Sequence, residues 1–296
     1  MNNNAKSRIL FNDNELISYF RVLIKGKNKS VSIFMSCLQS LSFLESNIDL
    51  SMSDELLMCF IHARKGDVHR AMKLLNNYVR MTKQYPKLAQ LCPLRVKHVL
   101  DSHFFASPHR EQNGCRILLI NLRKWDLRIC SLEDIFLALV FCFQRLVSEL
   151  ETQTNGIVLI LDVKDLSLNH VRQFTPYWVK IIADIAQDVF PIRFQGIHVV
   201  NEPRIMKVLV AIFWPFLSNK IRSRVSLLTF CFTVAILFFH GQCFATVHHH
   251  VDPACLPNDY NGCMKSMDTM RFSSIFFEIF KCTCFSRAFL TKTIGF

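Results

Sequence analysis

The sequence feature that most constrains the fold is the alternation, in the middle of the chain, of short apolar stretches with longer amphipathic ones. Three stretches are short and apolar, as buried strands are, and they read CRILLIN from Cys115, GIVLILD from Gly156 and RFQGIHVV from Arg193. After each of them, apolar residues recur at helical spacing. Strands that alternate with helices predict an α/β domain with a mostly parallel sheet and crossover helices.

Helix-start signals occur where this alternation requires them. Ser131, with Asp134 three positions later, has the pattern of a capping box. Thr175-Pro176 predicts the start of the next helix, because proline is tolerated at the first helical position. We expect Asn201 to cap a further helix that runs from about Pro203 to Lys220.

The region before this alternation is predicted to be helical. Apolar residues recur at helical spacing from Asp54 onward, and Asp67, which follows Lys65-Gly66, is a good N-cap for a second helix. We therefore divide the chain into a helical N-terminal domain that is irregular over 27–49, an α/β domain, and a tail. These three parts cover residues 1–100, 101–280 and 281–296.

The helix expected from Pro203 to Lys220 is apolar on nearly every side. Val208 and Val210 lie outside its main apolar stripe, which consists of Ile205, Leu209, Ile212, Phe213 and Phe216. A helix of this kind is either fully buried or faces something other than water part of the time. Pro215 has no backbone N–H and should bend or weaken the helix near its end.

The composition provides for a large apolar interior. Hydrophobic residues make up 51% of the 296 residues and charged residues 20%, which is enough to bury a sizeable core. The 27 Phe outnumber the 5 Tyr and 3 Trp together more than threefold. Phenyl rings carry no polar atom and suit an interior that binds an apolar guest, although ordinary core packing explains most single Phe residues as well.

The charge favours an anionic partner. A net charge of +12 indicates either nucleic acid or an anionic membrane surface. The Lys and Arg residues are scattered, and the sequence contains no zinc-finger spacing, aromatic RNA-binding motif or basic-region helix. We therefore expect a membrane surface, and no nucleic acid, as the anionic partner.

The sequence offers little covalent chemistry. It contains no Gly-rich phosphate loop, G-x-S-x-G elbow or H-E-x-x-H helix. Asp162 and Asp165 lie close together after the second strand, but Asp165 is better explained by a turn, because Asp tolerates left-handed backbone. The expectation is a protein that is not an enzyme and has no cofactor.

Histidine and cysteine residues suggest a metal site only at first sight. His248-His249-His250 precede Asp252, Cys255 and Cys263, but consecutive histidines cannot all point at one ion without an unusual backbone. We therefore predict no metal site. The segment from Met1 to Phe11 is polar and has no signal-peptide core. We expect a cytoplasmic protein, peripheral at membranes, whose 12 Cys are reduced.

Several segments are similar, in the same order, to the landmarks of one known family. They read DELLMCFIHARKGDVHRAMKLLNNY, KWDLRICSLEDIF, ETQTNGIVLILD, FPIRFQGIHVVNEP, WPFLSNKIRSRV and CLPNDYNG. Together they cover roughly residues 54–280, and the run from GIHVVNEP to WPFLSNK is specific. The chain resembles the CRAL-TRIO lipid-binding family, within it the branch of tocopherol-transfer and retinaldehyde-binding proteins.

The resemblance implies a monomeric carrier that holds one hydrophobic lipid above the sheet, with the helix after Asn201-Glu202-Pro203 as a mobile gate. The apolar stripe of that helix would face the lipid. Leu139 and Phe143 occupy positions that are small hydroxyl residues in tocopherol-binding relatives, which argues against α-tocopherol itself. The cavity positions implied by the resemblance are Phe136, Leu139, Phe143, Ile157, Leu159, Leu161, Leu166, Ile185, Phe190, Ile192, Phe194 and Ile197.

The resemblance also implies a phosphoinositide site beside the gate. Arg193, Lys220 and Arg224 match family positions that hold the head group, and Arg222 lies alongside. Basic side chains suit this role because phosphates accept charge-assisted hydrogen bonds. Gln195 departs from the family, since a second basic residue is usual there.

One apolar segment, 226–237, has no counterpart in the family. With its flanks it is shorter than the ~20 residues that a transmembrane helix needs. Three interpretations remain: an additional strand or helix extension, a membrane-dipping segment, or translated intron sequence. The last is favoured, because the segments on either side would join directly into a strand that ends at His240-Gly241.

The sequence is also compatible with two other functions. One is a phosphoinositide-dependent membrane adaptor whose cavity is filled or vestigial. The other is a non-functional product of a retained intron. Extraction of the bound lipid would separate the carrier from the adaptor.

Overall fold

The computed structural model describes residues 54–88, 91, 93–222, 225–226 and 237–267. The expected irregular segment 27–49, most of segment 226–237 and the expected tail lie outside these residues. No helix within them is long and apolar enough to cross a membrane.

The chain enters the described region through helices, as predicted. These are α1 (Asp54–Ala63), α2 (Val68–Gln84) and α3 (Pro93–His103). The Asp67 carboxylate accepts a hydrogen bond from the backbone N–H of Arg70 at 3.0 Å, which confirms the predicted N-cap. Lys65 and Gly66 make the turn between the first two helices with positive φ angles.

Six strands then form one sheet in the order β1-β2-β3-β4-β6-β5. They are β1 (Phe104–Arg110), β2 (Arg116–Asn121), β3 (Ile157–Asp162), β4 (Phe194–Val200), β5 (Val225–Ser226) and β6 (Leu237–Phe239). Strand β1 is antiparallel to β2, and the other pairs are parallel. The predicted mostly parallel α/β sheet is therefore confirmed, and β1, which the sequence did not predict, is added at its edge.

Helices lie between the parallel strands, and one more follows β6. They are α4 (Leu132–Val147), α5 (Leu150–Asn155), α6 (Leu168–Val171), α7 (Pro176–Asp184), α8 (Met206–Phe213), α9 (Asn219–Arg222) and α10 (Phe244–His248). A π-helical turn, Ile185–Val189, continues α7. Ser131 and Asp134 form the predicted capping box of α4, and Pro176 stands in the first turn of α7, as predicted.

The side chains of the sheet alternate between two separate apolar clusters. Leu118 and Leu159 belong to the larger cluster, which also contains residues of α1 to α4. Ile117 and Val158 belong to the smaller one, together with Tyr260 and other residues that follow β6. Both faces of the sheet are covered, which explains why its strands are continuous apolar runs without polar alternation.

Asp162, at the end of β3, is a buried polar anchor. It has no exposed surface, and its carboxylate accepts hydrogen bonds from Tyr260 Oη at 3.0 Å, Asn201 Nδ2 at 2.9 Å and the Lys164 N–H at 3.1 Å. Asn201 has φ +55°, so the prediction that it caps a helix is wrong: its amide binds Asp162, and α8 begins only at Met206. Asp165, with φ +65°, confirms the predicted turn.

We expect Tyr260→Phe to lower the free energy of unfolding by about 1–3 kcal/mol, because it removes a donor from a buried carboxylate. Chemical denaturation measures the change. Tyr177→Phe is the matched control, since the side chain of Tyr177 is 56% exposed, and it should change stability by less than about 0.5 kcal/mol. Equal effects of the two substitutions would contradict the anchor.

A cluster of histidines lies where β4 meets β6. His198 Nδ1 lies 2.9 Å from His240 Nε2, and the His198 ring stacks on Phe238 and contacts the ring of His250. His198 is 2% exposed. Burial, followed by the neighbouring His240 and His250, lowers the pKa of His198 to about 3. The folded protein therefore keeps this ring neutral at pH values where an unfolded histidine, with a pKa of about 6.5, is already charged.

The free energy of unfolding should accordingly fall as the pH drops from 7 to about 4. In this range His198 binds a proton in the unfolded chain but stays neutral in the folded protein. In His198→Gln this pH dependence should shrink by about one proton, as measured by denaturation at a series of pH values. His109→Gln, at an exposed position of β1, should leave it unchanged. An unaltered pH dependence in His198→Gln would show that burial does not hold this histidine neutral.

Candidate functional site

The residues implied to line a cavity come from α4, β3, β4, the loop after β3 and the end of α7, and all belong to or pack against the larger apolar cluster. Eight of them are buried members of that cluster: Phe136, Phe143, Ile157, Leu159, Leu166, Ile185, Phe190 and Ile192. Four are only partly buried and pack against it: Leu139, Leu161, Phe194 and Ile197. The structure thus brings the predicted set together on one face of the sheet.

Three of the partly buried side chains lie at interior positions where full burial would be expected. Leu139 stands on α4 between Phe136 and Phe143, which are each 2% exposed. Leu161 and Ile197 lie in strands that have a neighbour on either side. Interior positions of this kind are normally packed at close to crystal density, without accessible surface.

Aromatic rings form one wall of the same region. Phe143 makes ring contacts with Phe190 at 5.9 Å and Phe194 at 5.6 Å between centroids, and Phe136 lies 5.3 Å from Trp178. Tyr85, from the segment after α2, contacts both Phe136 and Trp178 at 5.9 Å. The predicted set missed Tyr85 and Trp178; Tyr85 had no local signal, because its partners are distant in the chain.

The helix expected over Pro203 to Lys220 is shorter in the structure. The α-helix ends at Phe213, a 3₁₀ turn over Trp214–Phe216 follows, and α9 is separate. Pro215 falls in that 3₁₀ turn, which confirms the predicted interruption, and it shortens the helix more than expected.

The faces of α8 differ strongly in exposure. Leu209 is 7% exposed, whereas Val208 on the outer side is 45% exposed. Leu209 is buried but belongs to neither apolar cluster. Phe213 contacts Phe174, ahead of α7, with ring centroids 5.8 Å apart. Ile205, Ile212 and Phe216 are partly buried.

Two of the four predicted phosphoinositide residues have described side chains, and both are bonded to backbone carbonyls. Arg193 Nη1 donates to Thr154 O at 2.7 Å. Arg222 donates from Nε to Trp214 O at 3.1 Å and from Nη2 to Pro215 O at 3.0 Å. The side chain of Lys220 and the whole of Arg224 lie outside the described part. A guanidinium has five N–H donors, so Arg193 and Arg222 each retain donors for another acceptor.

Two further polar residues border this region. Gln195 Nε2 donates to Asn155 O at 2.8 Å, next to the carbonyl that Arg193 uses. Arg64, between α1 and α2, pairs with Asp188 in the π-helical turn at 3.1 Å. Arg64 could not be recognised from the sequence, because a single basic residue in a turn between helices carries no signal of its own.

The histidine and cysteine side chains that follow β6 have different partners in the structure. His248 Nε2 lies 3.1 Å from Tyr260 O, whereas the His250 ring contacts Phe238. Within the described part of the chain, no group of three or more His, Cys, Asp or Glu side chains could hold a metal ion. Among the same residues, the free thiols of five cysteines are buried as small apolar groups: Cys59, Cys115, Cys130, Cys142 and Cys255.

Comparison with known proteins finds relatives that match about three quarters of the chain. The chain is 34% identical over 231 residues to an "Alpha-tocopherol transfer protein-like" protein of Homo sapiens, covering 77% of this chain and 64% of that one. It is 29% identical over 223 residues to Clavesin-1 of Xenopus laevis, covering 74% of this chain and 64% of that one. The chain therefore spans about two thirds, 64%, of the length of these relatives.

A solved structure and a domain family also match the chain. The crystal structure of Sfh5 matches with a TM-score of 0.47 at 10% identity, over 79% of this chain and 83% of that one. At this TM-score the match supports no conclusion about the protein. The CRAL/TRIO domain family matches residues 100–262. That region contains the whole sheet, α8 and the loop that carries Tyr260 to Asp162, and on this match the chain belongs to the CRAL/TRIO domain family.

Proposed function

We propose that this protein carries one hydrophobic lipid, of a retinoid, tocopherol or phospholipid kind, between the sheet and α4, with α8 as the gate. It exchanges the lipid at membranes that contain phosphoinositides. The proposal contains no covalent step, so it assigns no catalytic residue and no cofactor. The family of the chain and the names of its relatives support it.

The observation that carries the proposal is the incomplete burial of Leu139, Leu161 and Ile197. Interior side chains are normally close-packed without accessible surface, so the partial exposure of these three supports a space for a guest molecule between α4 and the sheet. Eight of the twelve predicted positions are nonetheless buried by protein atoms, which is the observation that favours the adaptor as the second candidate.

The energetics fit a carrier that exchanges its ligand. Burying about 400 Å² of apolar lipid surface contributes on the order of 10 kcal/mol. A bilayer offers the lipid similar shelter, so transfer between protein and membrane is close to balanced. The direction and rate of transfer then depend on the gate and on contact with the membrane surface.

The exposed apolar side chains support a membrane contact on the gate side. Five large apolar side chains are exposed in the described residues. Of these, Ile129 follows β2, Leu168 and Tyr177 follow β3, and Val208 follows β4. The carboxyl ends of parallel strands share one edge of the sheet, so these four lie around the edge at which α8 begins. Apolar residues in a basic protein are the combination that binds anionic bilayers.

A pair of tryptophan substitutions on α4 tests the interior. Leu139→Trp should block binding of a fluorescent fatty-acid or retinoid probe and cost less than about 1 kcal/mol of stability, because space is present. Leu137→Trp, at a neighbouring position that is 2% exposed, should cost about 1–3 kcal/mol or more by overpacking. Probe titration and chemical denaturation measure both. If the two variants are equally destabilised, the interior is filled and the adaptor function is favoured.

A charge on the outer face of the gate tests the membrane contact. Val208→Asp should weaken binding to vesicles of phosphatidylcholine, phosphatidylserine and phosphatidylinositol bisphosphate by about tenfold or more, because it places a carboxylate against an anionic surface. His109→Asp is the control with a similar change of charge. His109 lies near the end of β1, beside the start of β2, and therefore at the end of the sheet away from α8. Vesicle co-sedimentation measures both, and equal loss in the two variants would place the contact elsewhere.

A further inference from the structure

The gate is held at its two ends by bonds of different character. At its N-terminal end, Asn201 N donates to Gly241 O at 2.7 Å and Gly241 N donates to Glu202 Oε1 at 2.8 Å, beside the buried Asp162. At its C-terminal end, the Ser218 N–H and the carbonyls of Pro215 and Phe216 are bonded by side chains that are only partly buried. The second attachment is the weaker one, because exposed hydrogen bonds compete with water.

The side chain of Gln187 connects the C-terminal end of the gate to the π-helical turn, Ile185–Val189, which forms part of the wall of the proposed lipid site. Its Oε1 accepts from the Ser218 N–H at 2.6 Å, and its Nε2 donates to Phe216 O at 3.1 Å. Nε2 also donates to Ala183 O in its own helix at 2.9 Å. One acceptor and two donors are thus all used, and only this orientation of the amide satisfies the three backbone groups.

The support of Gln187 is fixed from behind. Gln187 lies in the π-helical turn, and the next residue, Asp188, is bonded to the N-terminal helices by Asn77 Nδ2 at 3.0 Å and by Arg64 Nη2 at 3.1 Å. Arg222 binds carbonyls of the gate's own segment, so it moves with that segment. Among these contacts, the two Gln187 bonds are the ones that must break if the gate leaves the wall.

We propose that Gln187 is a positioning residue that latches the C-terminal end of the gate, and that release of its bonds to Phe216 and Ser218 sets the rate at which lipid enters and leaves. The gate then swings about its N-terminal attachment, which lies next to the buried Asp162. This inference rests on the proposed carrier function. Because the latch joins gate to wall and does not contact the lipid site, it stabilises the closed form with and without lipid.

The test compares Gln187→Ala, the isosteric Gln187→Glu and the control Gln173→Ala, whose side chain is exposed and lies ahead of α7. Stopped-flow mixing with a fluorescent lipid probe gives the entry and release rates, and titration gives the Kd. Gln187→Ala removes both bonds and should raise both rates about tenfold, with Kd changed less than about twofold. Gln187→Glu keeps an acceptor for the Ser218 N–H but places a carboxylate oxygen against Phe216 O, so it should raise both rates as well. Gln173→Ala should match the unmodified protein.

Other outcomes separate the latch from the carrier function. A rise in release rate alone, with a weaker Kd and a lower Tm, would mean that Gln187 only supports the wall, and unchanged rates would overturn the latch outright. If the unmodified protein binds no lipid, the carrier function fails. Amide hydrogen exchange of residues 206–218 in the lipid-free protein still decides the latch: faster exchange in Gln187→Ala supports it, and equal exchange overturns it.

Discussion

The common edge at which β2, β3 and β4 end is the constraint on which the rest of the structure depends. Parallel strands that are apolar on both faces must be covered on both faces, and their carboxyl ends must lie together. Asp162 ends the middle strand at this edge and binds both Asn201, which precedes α8, and Tyr260, in the closing loop. One buried carboxylate thereby fixes the start of α8 and the cover of the opposite face.

A carrier of the kind proposed must be closed in water and open at a membrane. The two ends of α8 meet these two requirements in different ways. The N-terminal attachment is partly buried and is bonded through Asn201 to the buried Asp162. The C-terminal attachment depends on the Gln187 amide, whose hydrogen bonds water can replace, at a point where Pro215 has already interrupted the helix. The outer face of α8 exposes Val208, while Leu209 is buried beneath it. The hydrophobic effect closes such a segment in water and permits it to open against a bilayer.

The sequence predicted the parts of the fold that depend on local signals. Three strands, the Asp67 and Ser131 caps and the helix at Pro176 follow from periodicity and capping, and the structure has them. Strand β1 was missed because FFASPHR, with a proline and two basic residues, has no strand pattern and pairs only at the sheet edge. Asn201 was assigned wrongly because a distant carboxylate competes for its amide. Contacts such as those of Tyr85 and Gln187 join segments far apart in sequence, and no local pattern predicts them.

The central claim is that the interior between the sheet and α4 holds a molecule that is not protein. Native mass spectrometry of the purified protein, followed by organic extraction and lipid analysis, tests it most directly. The account predicts one hydrophobic lipid for each chain, released when the protein unfolds. A protein that carries no lipid after purification, takes none up from vesicles and still binds those vesicles would contradict it.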